Sequence, residues 1–174
     1  LVDMSVTPDG GGYWLLGDDG GVFSFGNAKY HGSTGNLRLA APVVGMAAHP
    51  GGGGYWFCAS DGGVFTYGTV GYYGSAASLR LNRPVVSMAA HPGGQGYWLV
   101  ADDGGVFTYG DAGYHGSTGD MVLAQPIVSM AASASGNGYW LVARDGGVFA
   151  FGDATFQGSL GGVSQTGEVI GITS

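Results

Sequence analysis

The chain is short of charge, and of positive charge above all. Its 174 residues carry 5 Lys+Arg against 12 Asp+Glu, a formal −7 with histidine neutral. That balance opposes a phosphate backbone, so nucleic acid is not expected as a partner. Cysteine is nearly absent: Cys58 stands alone and cannot close an internal disulfide. No apolar run approaches the roughly 18 residues a membrane helix needs, and membrane insertion is not expected. The chain opens at Leu1 without a charged-then-apolar leader, which fits a processed or excised segment. Helical patterning is missing too, since no stretch repeats apolar residues at i, i+3 and i+4, and 38 glycines would suppress a helix.

What is present is a period. Trp14, Trp56, Trp98 and Trp140 lie 42 residues apart (56−14 = 98−56 = 140−98 = 42). In the same register Asp19, Asp61, Asp103 and Asp145 each open an Asp-Gly-Gly-Val-Phe pentapeptide, and Pro42, Pro84 and Pro126 precede a Val/Ile-Val pair. Four gapless repeats follow, 1–42, 43–84, 85–126 and 127–168, with 169–174 starting a fifth inner strand. A period of this size signals a solenoid or a propeller. With 45% hydrophobic and 13% aromatic residues, glycine here punctuates strands instead of making a linker, and 1–174 reads as one domain.

Within the second repeat, Val43–Ala48 reads as a strand, His49–Gly53 as a turn and Gly54–Ala59 as a second strand. Asp61-Gly62-Gly63 supplies the positive φ of a tight hairpin, and Val64–Tyr67 is a third strand. Tyr72–Ser75 predicts a short fourth. The fold class is therefore all-β. Tyr-Trp-Leu-Leu and Val-Phe-Thr-Tyr are apolar on both faces, where a solvated sheet would alternate, so both faces need covering. A β-propeller of four 42-residue antiparallel blades covers them, as a closed four-blade ring or as part of a larger ring. Small residues suit the crowded axis: Gly45, Ser87 and Ser129 at one inner position, and Ala47, Ala89 and Ala131 two further on.

The stretch from Asp103 to Ser117, Asp-Gly-Gly-Val-Phe-Thr-Tyr-Gly-Asp-Ala-Gly-Tyr-His-Gly-Ser, with Val-Ser-Met-Ala-Ala-His at 86–91, resembles the repeat of the regulator-of-chromosome-condensation family. Gly-Tyr-Trp-Leu-Val-Ala followed by Asp-Gly-Gly-Val-Phe is similar to repeats of secreted actinobacterial proteins. The resemblance covers all four copies and implies a propeller and a secreted protein. The basic surface that nucleosome binding would require is missing from this chain.

A catalytic constellation should break the repeat, and none does, so no catalytic residue is assigned. His49 and His91 share a position with Thr7 and Ser133, and His31 and His115 share one with Tyr73 and Gln157. The acids of the Asp-Gly turns, from Asp18 and Asp19 to Asp102, Asp103 and Asp145, invite a calcium reading. Asx-turn chemistry explains an Asp before Gly-Gly without an ion, and no metal or cofactor is expected. Cysteine-histidine spacing for zinc and a phosphate loop are both lacking. Cys58 aligns with Leu16, Val100 and Val142, which marks it as a small buried apolar residue.

Tyr13, Tyr55, Tyr97 and Tyr139 with their neighbouring tryptophans are assigned to packing between repeats. Differences among the copies point to the binding surface instead. The variable rim set is His31, Tyr73, His115 and Gln157, with Lys29, Arg38, Arg80, Arg83, Asn36 and Asp120 in adjoining loops. The expected function is a non-catalytic binding or adhesion module for a glycan or protein, extracellular or at the cell surface. Self-association completing a larger ring is a further expectation. A structural spacer beside an enzyme domain is one alternative. A hydrolase with a site where blades converge is another, and there Asp3 and Glu168 are the only acids near inner strands.

Overall fold

The structure is a computed structural model that describes residues 1–164 and 166–173. Twelve strands form four three-stranded antiparallel sheets, one per repeat, and no helix occurs among the described residues. The first sheet holds β1 (Asp3–Val6), β2 (Gly12–Leu16) and β3 (Val22–Gly26). The second holds β4 (Val43–Ala48), β5 (Gly54–Ala59) and β6 (Val64–Gly68). The third holds β7 (Val85–Ala90), β8 (Gly96–Ala101) and β9 (Val106–Gly110), and the fourth β10 (Ile127–Ala132), β11 (Gly138–Ala143) and β12 (Val148–Gly152).

Each sheet is a meander whose turns the sequence specifies. In the second sheet Val64 pairs with Cys58 across the Asp61 turn. Gly62 sits at φ 83°, and the Asp61 carboxylate accepts the Gly63 amide at 2.9 Å. Asp19, Asp103 and Asp145 make the same bond to Gly21, Gly105 and Gly147. These four acids are thus each engaged in an Asx turn, and the glycine that follows, at positive φ, lets a three-residue loop reverse the chain.

The inner strands neighbour one another in order, β1 beside β4, β4 beside β7 and β7 beside β10. Their faces converge on a space of about 210 Å³ bordered by Ser5, Ala47, Ala89, Ala131 and Thr173, five successive occupants of one repeat position. The sheets are therefore arranged around a shared centre, which gives the molecule a propeller-like form, and the ladders do not join one sheet to the next by hydrogen bonds. Gly45 shows why small residues stand there: a Cβ on it would lie 3.2 Å from the Cys58 sulfur and 3.5 Å from the Met88 amide nitrogen.

The fourth strand expected at Tyr72–Ser75 does not form. Gly74 takes φ 133°, and the backbone around it bonds to a side chain of the next sheet instead of to a ladder. Beyond the fourth sheet, the Val169 amide donates to the Arg144 carbonyl at 3.0 Å. Val43, Val85 and Ile127 make the equivalent bond to Asp18, Ser60 and Asp102. Val169–Thr173 thus enters the position of a next inner strand, without a ladder partner among the described residues.

Both faces of the middle sheets are covered, while the outer face of the first sheet is exposed and that of the fourth is covered only in part. Met46, Met88 and Met130 are 4% exposed, and their counterpart Met4 is 56% exposed. Tyr55, Tyr97 and Tyr139 are fully buried, and Tyr13 is 40% exposed. At the other end Trp140 is half-buried where Trp14, Trp56 and Trp98 are buried.

Candidate functional site

The junction between consecutive sheets is built by two aromatic rings. Trp14 meets Tyr55 of the second sheet at 5.4 Å between centroids, Trp56 meets Tyr97 at 5.6 Å, and Trp98 meets Tyr139 at 5.7 Å. Each indole also donates to a carbonyl 15 residues on, at Lys29, Gly71, Gly113 and Thr155. The tyrosine hydroxyl then clasps the preceding repeat. Tyr97 accepts the Tyr73 amide at 3.2 Å and donates to the Gly74 carbonyl at 2.6 Å, while Tyr55 does the same to His31 and Gly32, and Tyr139 to His115 and Gly116. Burial pushes these phenols up, Tyr97 to about 12.

The rim residues singled out in the sequence sit at these clasps, one per junction, and do not converge on a common site. His31 packs edge-on against Tyr55 at 5.5 Å and Tyr73 against Tyr97 at 5.8 Å, and His115 lies tilted against Tyr139 at 5.6 Å. The Nε2 atoms of His31 and His115 are buried without a hydrogen-bond partner, which makes the rings wedges between sheets. Gln157, lacking a following sheet, is exposed.

A different copy-to-copy change opens a cleft. His49 and His91 tilt onto Trp56 and Trp98 at 5.4 and 5.5 Å and fill the space toward the next turn. A methyl group on Gly94 or Gly136 would overlap those rings, whereas on Gly52 it would meet only Pro8, at 3.8 Å. Thr7 holds the histidine position in the first repeat. The result is a cavity of about 430 Å³ between the first and second sheets, floored by Trp14 and walled by Asp9, Asn27 and Lys29 on one side and Pro50 to Gly52 on the other.

The polar groups of this cleft are fixed in place. Asp9 accepts from the Thr7 hydroxyl at 2.6 Å, the Asn27 amide at 2.6 Å and the Gly11 backbone at 3.0 Å. These bonds, the Thr7 hydroxyl foremost, hold its carboxyl below the usual carboxylate range. Asp9 is therefore an ionised acceptor with a set direction. Sequence reasoning named Lys29 as a loop neighbour and Trp14 as packing, and missed Thr7, Asp9 and Asn27. The available signal was a small residue where two other copies carry imidazole.

Other polar groups are engaged elsewhere. Asp3 accepts the Met46 amide at 2.7 Å and the Met4 amide at 2.8 Å, and burial raises its carboxyl. Glu168 stands 3.8 Å from Arg144 on the surface. The Cys58 thiol is fully buried, which pushes it far above its ordinary value and makes it a packing group.

No family model matches the sequence, and no curated protein matches it. Among solved structures, a structural genomics protein of unknown function from Bacteroides thetaiotaomicron VPI-5482 superposes with a TM-score of 0.63 at 12% identity, over 98% of this chain and 53% of its own. The chain thus spans about half the length of that neighbour, and the likeness concerns the fold. It supports a repetitive β architecture; a family match to chromosome-condensation-regulator or actinobacterial repeats is lacking.

Proposed function

We propose that the chain is an arc of a β-propeller, four blades of a larger ring, that serves as a non-catalytic binding module for a glycan or protein outside the cell. The exposed Met4 and Tyr13 at one end and the half-buried Trp140 at the other support an arc over a closed four-blade ring. The observation carrying the binding reading is the cleft opened by Thr7, in which the ionised Asp9, Asn27, Lys29 and Trp14 line one cavity of about 430 Å³. Such a set matches a hydroxyl-rich ligand: Asp9 and Asn27 take sugar hydroxyls, Lys29 adds a donor, and Pro50 with Trp14 gives apolar walls for the ring face.

The test is a glycan and peptide binding screen run with the native chain and with Thr7→His. Histidine is accommodated at 49 and 91, so the variant folds and refills the cleft. A ligand held by the native chain and released by Thr7→His is the expected result. Binding that is indifferent to Thr7→His and Asp9→Ala refutes the assignment of this cleft, and a spacer role follows if no ligand is held at all. Hydrolysis of an ester or glycoside by the pure protein would move the function into the enzyme class.

A further inference from the structure

The two uncovered ends of the arc are complementary halves of an interface the chain already makes three times. One half is the face that receives a following sheet, shown by Trp14, Leu16 and Val22 toward the second sheet. Its copy on the fourth sheet, offset by three repeats of 42 residues, is Trp140, Val142 and Val148, where Val142 is buried and Trp140 is the residue that loses cover. The other half is the face that packs onto a preceding sheet, shown by Met46, Tyr55, Phe57 and Phe65. Its unpartnered copy is Met4, Tyr13, Leu15 and Phe23, with Met4, Tyr13 and Phe23 exposed. None of these side chains is charged, so no ion has to be stripped of water to join them.

We infer that a second copy of this chain covers both ends, the Trp140 face of each copy packing on the Tyr13 face of the other. This rests on the open-arc reading. Four sheets from each of two copies make eight, the upper end of the usual propeller range. The seam is heterologous, and two-fold symmetry about the central axis generates it twice and closes the ring. It also completes a clasp: the hydroxyl of the partner's Tyr13 takes the Gln157 amide and the Gly158 carbonyl, the groups that Tyr55, Tyr97 and Tyr139 bind at the earlier positions.

One segment must yield. Val169–Thr173 occupies the place of the partner's first inner strand, since Leu1–Ser5 and Val169–Thr173 are equivalent in the repeat. The first strand is tied to β2 through four paired positions and by the short turn at Thr7. Among the described residues the tail has a single backbone bond, from Val169 to Arg144, so the tail leaves.

Sedimentation velocity on the full chain across a concentration series tests this. A reversible dimer is expected, tightened by salt because each copy carries −7. Trp140→Ala and, on the opposite face, Tyr13→Ser should each raise the dissociation constant about thirtyfold, the loss of an aromatic hot spot. Tyr13→Ser keeps the test valid if Trp140→Ala misfolds. Ile172→Ser, which loosens the tail, should leave the dimer unchanged or tighter. A dimer indifferent to both seam variants, or weakened by Ile172→Ser, overturns the seam, and assemblies beyond two copies overturn closure. If the chain is monomeric throughout, oxidation of Trp140 by N-bromosuccinimide separates the failures. A reactive Trp140 overturns the second copy and leaves the arc standing, whereas a shielded one overturns the arc as well.

Discussion

The third sheet and the fourth share nearly the same sequence and have different surroundings. Gly96–Ala101 and Gly138–Ala143 are both Gly-Tyr-Trp-Leu-Val-Ala, with every residue buried in the first case and a half-buried tryptophan in the second. Trp98 has Tyr139 at 5.7 Å, and Trp140 has no ring partner among the described residues. Strand identity and turn chemistry are therefore properties of the single repeat, while burial belongs to the pair. Most of what an alanine scan measures here should track neighbours, because apolar area removed from water is the main stabilising term.

That contrast can be broken most directly with tryptophan. Trp98→Ala should cost about 3–5 kcal/mol, as for a fully packed ring. Trp140→Ala in the monomer should cost about 1–2 kcal/mol, because its ring is only partly buried. Urea denaturation of both variants at low protein concentration reads the difference, and equal costs would mean that the fourth sheet has a cover. Next in size is the clasp. Tyr97→Phe leaves the Tyr73 amide and Gly74 carbonyl unpaired and should cost about 1–3 kcal/mol. Tyr13→Phe, whose hydroxyl has no hydrogen-bond partner among the described residues, should stay within about 0.5 kcal/mol.

The same clasp has an alkaline effect. Tyr97 has its folded value raised to about 12 from an ordinary value near 10 by desolvation. Its neutral form is favoured in the folded state, so this contribution is fully present below pH 10 and is lost as pH rises through 12. Urea midpoints of the native chain and Tyr97→Phe, compared from pH 9 to pH 11.5, should converge as the pH rises. A difference independent of pH would place Tyr97 in a better-hydrated setting than the junction provides.

Much of this architecture was legible from residues alone. Val43–Ala48 and Gly54–Ala59 were readable to the residue, because Asp-Gly-Gly and the proline fix the strand ends, and Val64–Tyr67 falls one short of β6. Tyr72–Ser75 misled because its strand-like composition says nothing of a phenol arriving from 24 residues downstream to take its backbone groups. The site was less legible for a related reason. His31, Tyr73 and His115 vary among copies as binding residues do, yet they vary as wedges, since several ring types fit over one tyrosine edge. The Thr7 cleft depends on what a side chain fails to fill, and only comparison with His49 and His91 makes that vacancy visible.

The tyrosine clasp always reaches backward, from one unit to the loop of the unit before it. A 42-residue insertion or deletion therefore leaves every surviving lock with a matching key, whichever whole unit is copied or lost. Gene duplication can lengthen such a protein without redesigning a single contact, and the loops ordered by each lock become free places for sequence drift.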